Sequence, residues 1–400
     1  MISEASWGWL QGRYSEPRPR RMLALDGGGI RGVLTLAVLR ELEKKLARHY
    51  GVNASFRLSQ FFDYIGGTST GAIIAAALAR GLAVEEIQNF YEDFGAQIFT
   101  RRRWGVWNSL YQNGPLEQRL RAVYGESATL AAEHLQTLLL VVMRNATTDS
   151  AWPLSSNPFA RYNHPTRKDC NLLVPLWRIV RASTAAPVYF PPEVIEWEPG
   201  NAKKSFVFVD GGTTSYNNPA FLMTRMATEP AYKLGWERGE KNLLVVSVGT
   251  GENPVLGNYS DDPESNLAAA AQNTLLSLMS QAAYDQDVNC RTVGRCVFGP
   301  QVDREVKDLV PRDATGAPIP LTKDLGRAFL YARYNPPLTN EWLTQNGLGD
   351  IDEESVRSLD AVAAMPQLRA VGEKLAESIN LQEHFGSFLD LPLAPRLTNA

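Results

Sequence analysis

Met22-Leu23-Ala24-Leu25-Asp26-Gly27-Gly28-Gly29-Ile30-Arg31-Gly32 is the stretch on which the fold turns. A short apolar run enters a cluster of glycines, the pattern of a buried strand ending in a tight loop. Immediately beyond it, Leu34, Val38, Leu42 and Leu46 recur every four residues and mark one face of a helix. The chain then repeats the plan: Phe61 to Ile65 is strand-like, Gly66 to Gly71 turns sharply, and Ala72 to Leu78 reads as a compact apolar helix.

Further outward, Leu138–Met143, Phe206–Val209 and Leu243–Val248 are continuous apolar runs separated by helical stretches. Runs without polar alternation belong to strands covered on both faces, so the expected fold class is α/β, with a mostly parallel central sheet flanked by helices. Residues 265–285 read as a helix, 311–320 as a Pro/Gly loop and 352–389 as mostly helical. The expected organisation is an irregular lead-in over 1–20, one α/β domain over 21–335, and a mostly helical extension over 336–400.

The 400 residues carry 40 Lys plus Arg against 43 Asp plus Glu, a net charge of −3. That balance argues against a protein wrapped in nucleic acid. A chain of this length buries a core without disulfide or metal. Cys170, Cys290 and Cys296 lack the paired spacing of a zinc site, so no metal is expected, and they suit a reducing, cytoplasmic setting. The N-terminus has no apolar stretch of signal-peptide kind, and no run reaches the ~18 apolar residues of a membrane span. Peripheral contact with a membrane stays open, as does the oligomeric state.

Gly67-Thr68-Ser69-Thr70-Gly71 is a G-x-S-x-G between a strand and a helix of small residues. In that setting a strained turn lifts a serine hydroxyl above the sheet, and the helix N-terminus aims N–H groups at developing negative charge. Ser69 is the expected nucleophile. The loop at 27–32 also satisfies G-x-G-x-x-G, which admits a dinucleotide-binding protein. The acidic residue such a site needs about 20 positions on is met only by Glu41 and Glu43, inside the charged helix rather than at a strand end. The other use of such a loop is as a cradle for an oxyanion, with Arg31 adding charge or pinning the loop.

A serine needs a proton acceptor. The histidines His49, His134 and His164 fall on a helix end, a helical or loop stretch and an unanchored loop, while His384 fits a Ser-Asp-His order only loosely. Asp210 is the better candidate. It ends the Phe206–Val209 strand, opens Asp210-Gly211-Gly212, and shares a sheet edge with both glycine loops if its strand is parallel to theirs. A free aspartate is a weak base (pKa about 3.9), so the environment must raise it or the oxyanion cradle must supply most of the catalysis.

These three motifs, in their order and spacing, resemble the patatin-like phospholipases. Ala182-Ser183-Thr184-Ala185-Ala186-Pro187-Val188-Tyr189-Phe190 and Asn217-Asn218-Pro219 are similar to further segments of that family. The resemblance covers about residues 21–335. It implies a calcium-independent lipid acyl hydrolase without cofactor, acting on phospholipids, lysolipids or related esters. It further implies Ser69 as nucleophile, Asp210 as base, Gly27, Gly28 and Gly29 as oxyanion hole, and Arg31, Gly32, Gly67, Gly71, Gly211 and Gly212 as supporting motif positions. An acyltransferase or thioesterase pairing Ser69 with a histidine, a nucleotide-binding protein using the 27–32 loop, and a lipid-binding scaffold are the alternatives.

Two segments bear on lipid contact. Residues 100–107 mix three arginines with two tryptophans, chemistry suited to an anionic membrane surface. Residues 267–284 form a helix apolar around much of its circumference, suited first to core packing.

Overall fold

The structure is a computed structural model that describes residues 10, 13–14, 16–52, 55–98, 111, 113–164, 166–252 and 267–396. The Arg/Trp segment at 100–107 lies outside the described residues. Among those described, the strands are β1 (Arg20–Leu25), β2 (Tyr64–Thr68), β3 (Leu138–Asn145), β4 (Ser150–Ser155), β5 (Glu193–Glu196), β6 (Ser205–Asp210), β7 (Leu243–Val248), β8 (Arg295–Phe298) and β9 (Leu330–Tyr334). They form one sheet in the order β5-β6-β3-β2-β1-β7-β9-β8, with β4 also paired to β3.

The pairs β3–β2, β2–β1, β1–β7, β7–β9 and β9–β8 are parallel, giving the mostly parallel sheet expected. Side chains of the central strands alternate between two apolar layers. Leu23 and Leu25 of β1 enter one layer with Leu139, Val141, Leu244 and Val246, while Met22 and Ala24 enter the other with Leu138, Leu140 and Val245. Burial on both faces is why these strands read as unbroken apolar runs.

The orientation of β6 corrects the expectation that it runs parallel to its neighbours. It is antiparallel to β3, pairing Met143 with Asp210, and antiparallel to β5. On β3, β2 pairs with Leu138 to Val142 and β6 with Met143 to Asn145, while β4 spans Leu140 to Asn145. One edge of β3 must therefore hold β4, and the other holds β2 followed by β6. The C-terminal ends of β2 and β6 meet head to head on that shared edge, Thr68 opposite Val142 and Asp210 opposite Met143.

The longer helices are α1 (Gly32–His49), α2 (Thr70–Ala79), α3 (Val84–Ile98), α4 (Asn113–Tyr124), α5 (Leu176–Ser183), α6 (Ala220–Thr228) and α7 (Leu267–Val293). Every residue of α2 is buried, as its small apolar sequence requires. Beyond β9 come α8 (Asn340–Gln345), α9 (Glu353–Arg357), α10 (Met365–Ala376) and α11 (Leu381–Phe385). Leu368, Val371 and Leu375 of α10 join the core layer that holds α1, and Lys45 Nζ donates to the carbonyls of Ala376 (3.2 Å) and Ile379 (2.7 Å). At the other terminus the described residues of the lead-in are built into the fold. Leu10 and Tyr14 are buried, and Arg13 donates to the carbonyls of Gln136, Ser59 and Phe62.

Candidate active site

β2 ends at Thr68 and α2 begins at Thr70, leaving Ser69 as the one residue of the turn. Its backbone sits at φ 53°, ψ −122°, a conformation that L-residues rarely hold without support from their surroundings. Gly67 and Gly71 make that turn possible. A Cβ at Gly67 would lie 2.0 Å from the carbonyl oxygen of Gly71, and one at Gly71 would lie 2.2 Å from that of Leu25.

The Ser69 hydroxyl donates to Asp210 Oδ2 at 2.6 Å. Gly212 N–H donates to the other carboxylate oxygen at 2.7 Å, so the carboxylate is held at both ends. Asp210 is fully buried, and burial pushes its carboxyl up to about 6, with Ser69, Gly212 and Arg181 pulling the other way. The environment thus supplies a stronger base than a free aspartate. Gly211 lies beneath the end of β2, where a Cβ would meet the Val142 carbonyl at 2.2 Å.

The glycine loop flanks this pair. Gly27 N–H donates to the Asn217 carbonyl at 3.1 Å and is therefore already engaged. The N–H groups of Gly28 and Gly29 have no acceptor among the described residues. Gly29 adopts φ +57°, and its carbonyl accepts from Thr70 Oγ1 (2.8 Å) and from the Tyr91 hydroxyl, which ties the loop to the start of α2. Gly32 packs against Thr70 and Tyr91. Arg31 lines a second, polar pocket together with Asp26, Gly27 and Asn217.

Two positioning contacts carried no signal in the spacing of the catalytic motifs. Ser69 N–H donates to Ser183 Oγ at 2.9 Å, and Ser183 Oγ–H donates to the Val142 carbonyl at 2.6 Å. Asn217 Nδ2 reaches the carbonyls of Gly27 (3.4 Å) and Met279 (3.2 Å). Both residues fall in segments singled out only by resemblance.

The cleft over Ser69 is narrow, with about 40 Å³ open to the centre of a water molecule. Ile73, Leu116, Tyr189, Phe190, Met279 and Leu359 give it apolar walls. Leu359 comes from the stretch between α9 and α10; its carbonyl accepts from Ile30 N–H at 2.8 Å, and it lies directly over Gly29.

The histidines are elsewhere. His384 is buried and bonded to the Tyr334 hydroxyl at 2.7 Å, and burial lowers its pKa to about 4. His164 contacts Thr166, His49 the Leu389 carbonyl and His134 the neighbouring Glu133. None contacts Ser69, so the alternative with a histidine base has no geometry behind it. Nor does Glu43 suit a ribose: it sits within α1, with its carboxylate on the N–H of Val84 at 3.1 Å.

The family model described as Patatin-like phospholipase matches residues 23–223. The chain is 31% identical over 246 residues to Patatin group J-1 of Solanum tuberosum, covering 58% of this chain and 60% of that protein. It is likewise 31% identical over 243 residues to Patatin-17 of Solanum cardiophyllum, with the same coverage of 58% and 60%. The matched part thus spans about 60% of the length of these relatives. Among solved structures, VipD from Legionella pneumophila aligns over 89% of this chain and 67% of that one, at 14% identity and a TM-score of 0.37. The type III effector protein ExoU aligns over 68% and 54%, at 12% identity and a TM-score of 0.25. Those two likenesses are too distant to carry an argument.

Proposed function

Because the chain belongs to the patatin-like phospholipase family, we propose that it is a lipid acyl hydrolase working through Ser69 and Asp210. The observation that carries this reading is the 2.6 Å hydrogen bond from a serine on a strained strand–helix turn to a buried carboxylate whose proton affinity burial has raised.

In the first step Asp210 takes the Ser69 proton as Oγ attacks the ester carbonyl carbon. The N–H groups of Gly28 and Gly29, with the N-terminus of α2, are the donors for the resulting oxyanion. As the intermediate collapses, the protonated Asp210 returns its proton to the departing alcohol, leaving an acyl–Ser69 ester. Water then attacks that ester as Asp210 takes its proton; when the acyl–Oγ bond breaks, Asp210 passes the proton to Ser69 Oγ, and the fatty acid leaves with both residues restored. Gly27, whose N–H is already bonded, holds the loop in place instead of contributing a donor. The apolar walls suit an acyl chain, and the reading includes no calcium requirement, which the chelator in the assay below tests. The catalytic domain spans about residues 21–335, with 336–400 as its helical extension.

The test is fatty-acid release from mixed phospholipid and lysophospholipid vesicles in the presence of a calcium chelator. Wild type should release acid, while Ser69→Ala and Asp210→Asn should lose at least about 10³-fold in kcat with unchanged unfolding midpoints. Full activity in a folded Ser69→Ala chain would refute the reading.

A further inference from the structure

The glycine loop has two sides. One faces Ser69; the other closes a separate pocket, with about 230 Å³ open to the centre of a water molecule, against the roughly 10–15 Å³ that one water requires. Its walls come from the loop, the end of β7, α7 and the end of β9, and they include Arg31, Asn217, Glu252, Ser280, Asp287 and Arg333.

Most of the charge here is already matched. Arg333 grips Asp26 through two hydrogen bonds of 2.8 and 2.6 Å, and Arg291 grips Asp287 at 3.0 and 2.8 Å. Arg31 has no carboxylate hydrogen-bonded to it among the described residues; Asp26, already held by Arg333, acts on it through its charge alone. Its side chain is buried; among the described residues its one hydrogen bond is a long 3.5 Å contact from Nε to the Gly28 carbonyl, and its Nη1 has no partner. Arg333 Nε is buried without a partner as well. A guanidinium donor taken out of water and left unpaired is costly, and a fork of donors matches the oxygens of a tetrahedral anion.

We propose that this pocket, built around Arg31 and the free edge of Arg333, binds a phosphate-type oxyanion. Among the described residues, the one further acid of the pocket outside an ion pair is Glu252, whose side chain accepts from Asn335 Nδ2 at 3.3 Å. Arg333 and Asn335 at the β9 end and Asp287 and Arg291 of α7 act on it, and Asp26 and Arg31 of the loop line the same pocket. Burial pushes its carboxyl up to about 7. Protonated, Glu252 leaves the pocket with a net positive charge; ionised, it repels an anion held in the same pocket.

The phosphate has two possible sources. Gly27 borders the pocket on one side and packs against Ser69 on the other, so a phospholipid headgroup held here would lie one loop's thickness from the nucleophile, its ester reaching Ser69 around the loop. A free phosphate-bearing compound would instead touch only the back of the oxyanion loop. The headgroup source rests on the hydrolase reading; binding itself does not.

Calorimetric titration of inorganic phosphate into the Ser69→Ala chain, with chloride as control, tests the site without turnover. Saturable binding is expected, weakened at least tenfold by Arg31→Met. Sulfate keeps its charge between pH 6 and 8, so its affinity should fall across that range as Glu252 ionises, and Glu252→Gln should abolish the fall. That second variant keeps the proposal testable if Arg31→Met fails to fold. Absence of saturable binding overturns the site, as does binding indifferent to both substitutions. Turnover by the wild-type chain separates the sources. A headgroup site makes phosphate raise KM for lysophosphatidylcholine while sparing p-nitrophenyl butyrate, whereas an effector site makes it change both rates.

Discussion

Asp210 is the residue on which the proposed chemistry depends, and its burial sets a measurable limit. A carboxyl raised to about 6 is protonated below that pH and cannot accept the serine proton. We therefore expect kcat/KM to fall about tenfold per pH unit below roughly pH 6, with a plateau above it. A profile flat down to pH 4 would show that Asp210 is not the base. Ser69 and Asp210 were both legible in the sequence because each sits where an apolar run gives way to a glycine turn, a local signal. Ser183 and Asn217 were not. Their contacts join residues 114 and 190 positions apart, and no local pattern encodes which backbone groups they will meet.

At the scale of elements, the elbow requires α2 to start almost in contact with the end of β1. Gly71→Ala would place a methyl 2.2 Å from the Leu25 carbonyl and 2.7 Å from that of Asp26, both backbone atoms that have little room to yield. A loss of about 3 kcal/mol is expected in urea unfolding, at the upper end of overpacking costs. An unchanged midpoint would mean that the turn has room to spare. The central strands were readable because burial on both faces leaves an unbroken apolar run. Four others were not: Ser150–Ser155 and Glu193–Glu196 are short, mixed in polarity and partly exposed, Arg295–Phe298 has only four residues, and Leu330–Tyr334, though buried between β7 and β8, has its apolar run broken by Arg333. The direction of β6 was also beyond a local reading, since it follows from the antiparallel pairing with β5. The head-to-head approach of β2 and β6 along β3 brings the dyad together in place of the parallel edge that was expected.

Across the whole molecule, the site is shared between parts of the chain far apart in sequence. Asp26 of the glycine loop is held by Arg333, and Ile30 of the same loop by the Leu359 carbonyl, both beyond the span matched by the family model. The helical stretch after residue 336 was visible as helix, but not as a wall of the cleft. Leu359 is buried and lines the narrow space over Ser69. Leu359→Ala should therefore lower stability by about 2–5 kcal/mol through the cavity it leaves, while raising kcat/KM for octanoyl relative to butyryl p-nitrophenyl esters. An unchanged ratio would remove Leu359 from the acyl path.

Activation of the Ser69 hydroxyl by Asp210 can be read from the reaction of the purified chain with a small fluorophosphonate, followed by intact-mass and peptide mass spectrometry. One adduct per chain is expected, located on Ser69, forming at a rate that drops below about pH 6 and falls at least about a hundredfold in Asp210→Asn. An adduct at another residue, or equal rates with and without the Asp210 carboxylate, would contradict it.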